Sequence, residues 1–133
     1  MELLFKAKRK DNGEWLESDS ILQFSKHPVT KVAEASLWVE GTGWIEVDPK
    51  TISQYINEID KNGKKIFTNH IVKVHYEADG EELTEKKVVT FDTEQGGFVP
   101  FTWEYCCDGC NCGCCIDSVE IIGNCFDNPR LVR

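Results

Sequence analysis

A chain of 133 residues, 41% hydrophobic and 29% charged, has the size of one ordinary domain and enough apolar content for a packed core, which excludes wholesale disorder. Fifteen Lys and Arg stand against twenty-three Asp and Glu, and the net charge of −8 disfavours phosphate backbones and membrane headgroups as partners. The start Met1-Glu2-Leu3-Leu4-Phe5-Lys6 is not a signal peptide and no window is long enough for a membrane span, so the expected location is the cytoplasm, where the seven cysteines are free thiols or metal ligands.

From Leu3 to Lys10 apolar and basic residues interleave, and Asp11-Asn12-Gly13 turns the chain towards Trp15-Leu16, which predicts an opening hairpin. The basic run Lys6, Lys8, Arg9 and Lys10 reads as a solvated strand edge rather than a phosphate contact. Ile21–Phe24 and Val29–Val39 are strand-like, separated by Lys26-His27-Pro28; Ala33 to Leu37 has some helical character, but the valines draw it towards strand. Gly41-Thr42-Gly43 turns into Trp44–Asp48, and Asp48-Pro49 caps one short helical turn running through Ile52 towards Tyr55.

The clearest turn is Asp60-Lys61-Asn62-Gly63-Lys64, whose Asn-Gly pair tolerates positive φ. Beyond it, Ile71 to Glu77 alternates Val72, Val74 and Tyr76 with Lys73, His75 and Glu77, the pattern of a half-buried strand. An acidic loop, Ala78 to Glu85, is expected before Val88–Phe91, and Gly96-Gly97 opens a further alternating run from Phe98 to Tyr105. Val119–Ile122 is a last strand, and Asp127-Asn128-Pro129 ends the fold. Short strands at this spacing predict a mainly β protein: an N-terminal β-rich lobe over residues 1–53 and a small antiparallel barrel over residues 54–133, packed as one unit.

Three stretches resemble the YopX family of phage and prophage proteins: Gln54-Tyr55-Ile56-Asn57, then Asp60-Lys61-Asn62-Gly63-Lys64-Lys65-Ile66-Phe67, then His70-Ile71-Val72. The close Ile122-Gly123-Asn124-Cys125-Phe126-Asp127-Asn128-Pro129 and the opening Phe5-Lys6-Ala7-Lys8 extend the likeness over nearly the whole chain. The resemblance implies that the barrel is SH3-like and carries the Asp-Lys-Asn-Gly turn, and that the chain is encoded in a mobile element; it implies no activity. Two departures stand out, Ile56-Asn57 where the family has Thr-Gly and Asn69-His70 where it has Gly-Asp. They put any ligand contact made by that Gly-Asp turn in doubt.

Cys106-Cys107-Asp108-Gly109-Cys110-Asn111-Cys112-Gly113-Cys114-Cys115 holds six thiols in ten residues. Cys107 with Cys110, and Cys112 with Cys115, have the spacing by which two thiolates grip one zinc. The pairs nearly overlap, so a metallothionein-like clip for zinc or another soft metal fits better than a zinc ribbon, and a cysteine-rich hairpin tip without function is the plain alternative. Cys125 reads as a small buried hydrophobe. His27, His70 and His75 sit in no catalytic signature, and Glu81, Glu82 and Glu85 read as solvated charge. No phosphate-cradling loop or nucleotide fingerprint is present.

The expectation is therefore a non-enzymatic interaction module whose partner is a host or phage protein. Trp15, Trp38, Trp44 and Trp103 serve as core or interface anchors. A metal-binding domain built on the 106–115 loop and a nucleic-acid regulator using Lys6 to Lys10 remain as alternatives. Open strand edges favour pairing between copies, so self-association is a further expectation.

Overall fold

In the computed structural model the basic opening of the chain becomes β1 (Phe5–Lys8), joined antiparallel to β2 (Trp15–Ser18) with Lys8 opposite Trp15 and Phe5 opposite Ser18. The structure describes residues 2–24, 26, 28–29, 31–78, 80–92, 97–99 and 116–132. The chain divides into two compact units, Met1–Tyr55 and Ile56–Arg133.

In the first unit β3 (Ile21–Phe24), β4 (Glu34–Val39) and β5 (Gly43–Val47) form an antiparallel sheet in chain order. The ambiguous Ala33 to Leu37 segment is strand from Glu34 onwards, because Ala35 and Leu37 alternate into a core shared with Ala7 and Val47, a period of two that a helix does not offer. Arg9 bridges to Val47, and the amides of Lys10 and Asp48 donate to Glu46 and Lys8, tying the hairpin to β5. The Asp48 side chain accepts from the Lys50 amide and caps a single 3-10 turn, Pro49–Thr51. The turn is shorter than its sequence suggests, since β6 (Ser53–Ile59) begins two residues later, with Ser53 and Gln54 paired to Lys6 and Phe5.

The second unit takes up β6 where Tyr55 gives way to Ile56, and pairs it with β7 (Lys65–Phe67) around the Asp60–Lys64 turn. β8 (His70–Ala78) lies between β9 (Glu81–Val88) and β12 (Ile116–Asn124), antiparallel to both. β10 (Thr90–Asp92) and β11 (Gly97–Val99) make a separate two-stranded ladder. The core gathers Ile56, Ile66, Val72, Val74, Val89 and Val119, with Tyr76, Phe98, Ile116 and Ile121 packed against it. Val74 pairs with Val119 and Val72 with Ile121, so the β8 alternation is matched by a strand over forty positions away in sequence.

Two expectations change. The acidic stretch from Ala78 to Glu85 is not a loop: it is mostly β9, held residue for residue against β8 by backbone pairing that its charged side chains do not disturb. The fold does not end at Asp127-Asn128-Pro129 but continues in a 3-10 turn, Pro129–Val132. Among the described residues the sheets are not closed into a barrel; most of the Phe98–Tyr105 run expected to extend the meander lies outside them.

The family departures have a physical explanation. Asn57 and Asn69 adopt φ of 63° and 71°, the left-handed region where glycine is otherwise the usual residue and asparagine the best-tolerated substitute. His70 Nδ1 accepts from the Phe67 amide at 3.0 Å, a bond that an aspartate carboxylate at this position is equally suited to accept. Asn69→Ala is thus expected to cost about 1 kcal/mol, since alanine keeps the Cβ but loses the short polar side chain that eases the left-handed conformation, while Asn69→Gly stays folded near wild-type stability, a contrast readable in parallel urea denaturation curves.

Candidate functional site

The residues singled out for metal, Cys107, Cys110, Cys112 and Cys115, lie outside the described residues, as do Trp103 and His27. No group of three or more metal-ligating side chains occurs among the described residues. Cys125 is half-buried rather than fully buried, and burial pushes its thiol above the ordinary range, which makes it a poor nucleophile at neutral pH. His70 is buried and occupied with its turn, edge-on to Phe67 with ring centroids 5.8 Å apart. His75 points to the opposite face of β8, between Ser118 on β12 and Thr84 on β9. That face carries an open recess of about 400 Å³ lined by Lys61, Glu82 and Asp117 among others, and Lys61 pairs with Glu120 at 3.6 Å.

The basic run is drawn into contacts within the chain. The Lys6 and Lys8 ammonium groups both lie over the Trp15 ring, 5.1 and 5.4 Å from its centroid. Arg9 grips Asp11 through two bonds of 2.9 and 2.7 Å, and Lys10 meets Glu46 at 3.4 Å.

The stretches that carry the family pattern converge on one another. Asp60 is buried, and its Oδ1 accepts from the amides of Asn62 and Lys64 while Oδ2 accepts from the Ile121 amide at 3.1 Å. Burial opposes its ionisation, but the amides of Ile121, Lys64 and Asn62, helped by the Lys64 charge, outweigh that and hold its pKa below the ordinary carboxylate value. The Lys61 amide donates to Val119, and the Cys125 amide donates to Asn69. Asn124 Oδ1 accepts from Phe126 and Asp127, and Asn128 Oδ1 accepts from Asn124 in return. These side chains serve the backbone, so the pattern builds a scaffold.

What stands out on the surface is in the first unit. Trp38 and Trp44 face each other across β4 and β5, edge to face with centroids 5.4 Å apart, yet they remain 44% and 49% exposed. Leu22, opposite Ser36, adds an exposed apolar side chain to the same face. The Trp38 backbone is pinned on both sides: its amide donates to Ser20 and its carbonyl accepts from Ser18 Oγ at 2.6 Å. The sequence shows each tryptophan but not the pairing; the clue is that both lie three positions from Gly41, the centre of the hairpin turn.

Fold and surface together define a mainly β protein with a rigidly presented aromatic pair. A family model described as YopX protein matches residues 4–133, nearly the whole chain, and the chain belongs to that family. No curated protein and no solved structure matches it. No helix among the described residues is long and apolar enough to cross a membrane.

Proposed function

We propose that this chain is a non-enzymatic interaction module, an accessory protein of phage or prophage origin that binds a host or phage protein in the cytoplasm. The supporting observation is the Trp38–Trp44 pair. Exposing about half of two large aromatic rings has no folding benefit, whereas tryptophan held in a fixed geometry is the side chain most enriched where protein interfaces concentrate their affinity. With its backbone held by Ser18 and Ser20, Trp38 loses little further freedom on binding. The Trp38→Ser, Trp44→Ser double variant should fold as the wild type does by circular dichroism. It should fail to retain a specific protein that the wild-type chain retains from lysate of phage-infected cells. Retention of the same proteins by both chains, or of none by the wild type, would reject this reading.

The thiol spacing supports a second reading, a soft-metal clip formed by Cys107, Cys110, Cys112 and Cys115. Elemental analysis of protein purified without added metal should then find about one ion per chain, lost when these four cysteines become serine. Much less metal in the unaltered chain dismisses it.

A further inference from the structure

β9 lies at the edge of the β12-β8-β9 sheet, and among the described residues no strand pairs with its outer side. Glu81 to Lys86 are all exposed, while Lys87 and Val88 are partly buried and the closing Pro129–Val132 turn approaches the strand. Its side chains are poorly matched to their own sheet. Glu82 lies directly opposite Glu77 of β8, and Lys86 directly opposite Lys73, two like-charge pairs of the kind that weaken an antiparallel ladder.

The same strand is charge-complementary to itself. Set antiparallel to a second β9 about a two-fold axis at Thr84, Glu82 of each copy faces Lys86 of the other, and Glu81 faces Lys87. Thr84 meets Thr84, and the exposed Leu83 meets the aliphatic stem of Glu85. Lys87 already contacts Glu85 of its own strand at 3.4 Å and would be shared between the two carboxylates. Registers displaced by one residue in either direction keep fewer of these matches. Backbone pairing supplies the attraction common to any open edge, and the charges select both the register and the partner.

We infer that β9 is a homodimerisation edge, where a second copy of this chain adds its own β9 antiparallel about Thr84, giving a continuous six-stranded sheet in the order β12-β8-β9-β9-β8-β12. The interface is isologous, so each substitution acts twice.

Sedimentation velocity over a concentration series at low ionic strength should show a monomer–dimer equilibrium that weakens as salt is raised. Glu82→Lys places lysine against Lys86 in the dimer, and Lys86→Glu places glutamate against Glu82. Each should raise the dimer dissociation constant at least about tenfold. Within the chain the same changes turn the repulsion from Glu77 or from Lys73 into an attraction, so loss of the dimer must come with an unchanged or higher melting temperature. Mixing the two variants should restore a heterodimer, and the Glu82→Lys, Lys86→Glu double variant should restore the homodimer. The Trp38→Ser, Trp44→Ser chain should dimerise as the wild type does, which separates this edge from the aromatic face. A wild-type chain that stays monomeric throughout, single variants that dimerise unimpaired, or a mixture with no heterodimer would each overturn the assignment.

Discussion

Replacing Asp60 with alanine is expected to destabilise the second unit by about 2–4 kcal/mol, because three part-buried amides lose their acceptor at roughly 1–3 kcal/mol each and water recovers part of the loss. The amides are those of Asn62, Lys64 and Ile121, and the last belongs to a strand 61 positions away. The substitution therefore loosens the turn and removes one of its ties to β12 in one step. Hydrogen exchange should accelerate at all three amides, and the urea midpoint should fall with little change in slope. A loss below about 1 kcal/mol would show that the three bonds accepted by the carboxylate contribute little to stability.

The same residue sets a pH dependence. Its folded pKa lies below the ordinary value of 3.8, so its contribution to stability is fully present above that value and is lost as pH falls through the folded pKa. Asp60→Asn removes the titration and offers an amide donor to one of the three N–H groups. Its stability should be lower than wild type at neutral pH, with the gap narrowing below pH 3.8. A constant gap across that range would exclude the carboxylate as its source.

Gly123→Ala is the second large effect expected. A Cβ at position 123 would lie 2.6 Å from Asn128 Oδ1, 2.9 Å from its Cγ and 3.1 Å from its Cβ. Rotating the side-chain end does not relieve the crowding at Cβ, so Asn128 must move as a whole and surrender the bond it accepts from the Asn124 amide. The cost should be about 1–3 kcal/mol. Asn128→Ala alone loses only the hydrogen bond, and the double Gly123→Ala, Asn128→Ala chain should be more stable than the sum of the single losses predicts, since the 2.6 and 2.9 Å contacts have gone and only the 3.1 Å approach of the two Cβ atoms remains. Strict additivity in thermal unfolding would mean that the glycine is needed for some other reason.

Local chemistry was readable in the sequence and distant pairing was not. The Asp60–Lys64 turn, the opening hairpin and the inward set Val72, Val74 and Tyr76 follow from residues within a few positions of one another. β9 has no such signature: Glu81-Glu82-Leu83-Thr84-Glu85-Lys86-Lys87 is polar on both faces and becomes a strand because β8 supplies a ladder. Asp60 reads as a turn former, but its reach to Ile121 depends on where β12 docks, which no local pattern specifies. The candidate surface divides in the same way. Each tryptophan is visible, while the edge-to-face pair emerges only once Trp38 and Trp44 are set opposite by the register of β4 and β5.

The dependence of Asp60 on Ile121 also fixes the order of events during synthesis. When the ribosome has made β6 to β9, the carboxylate at position 60 and the inner edge of β8 still wait for residues 116–124, so the nascent second unit exposes Val72 and Val74 until its last strand emerges. Completion is then a late step, and a stalled or truncated product lacking β12 should be a preferred target for chaperones and proteases, whereas the described ladders of the first unit need only residues 5–54.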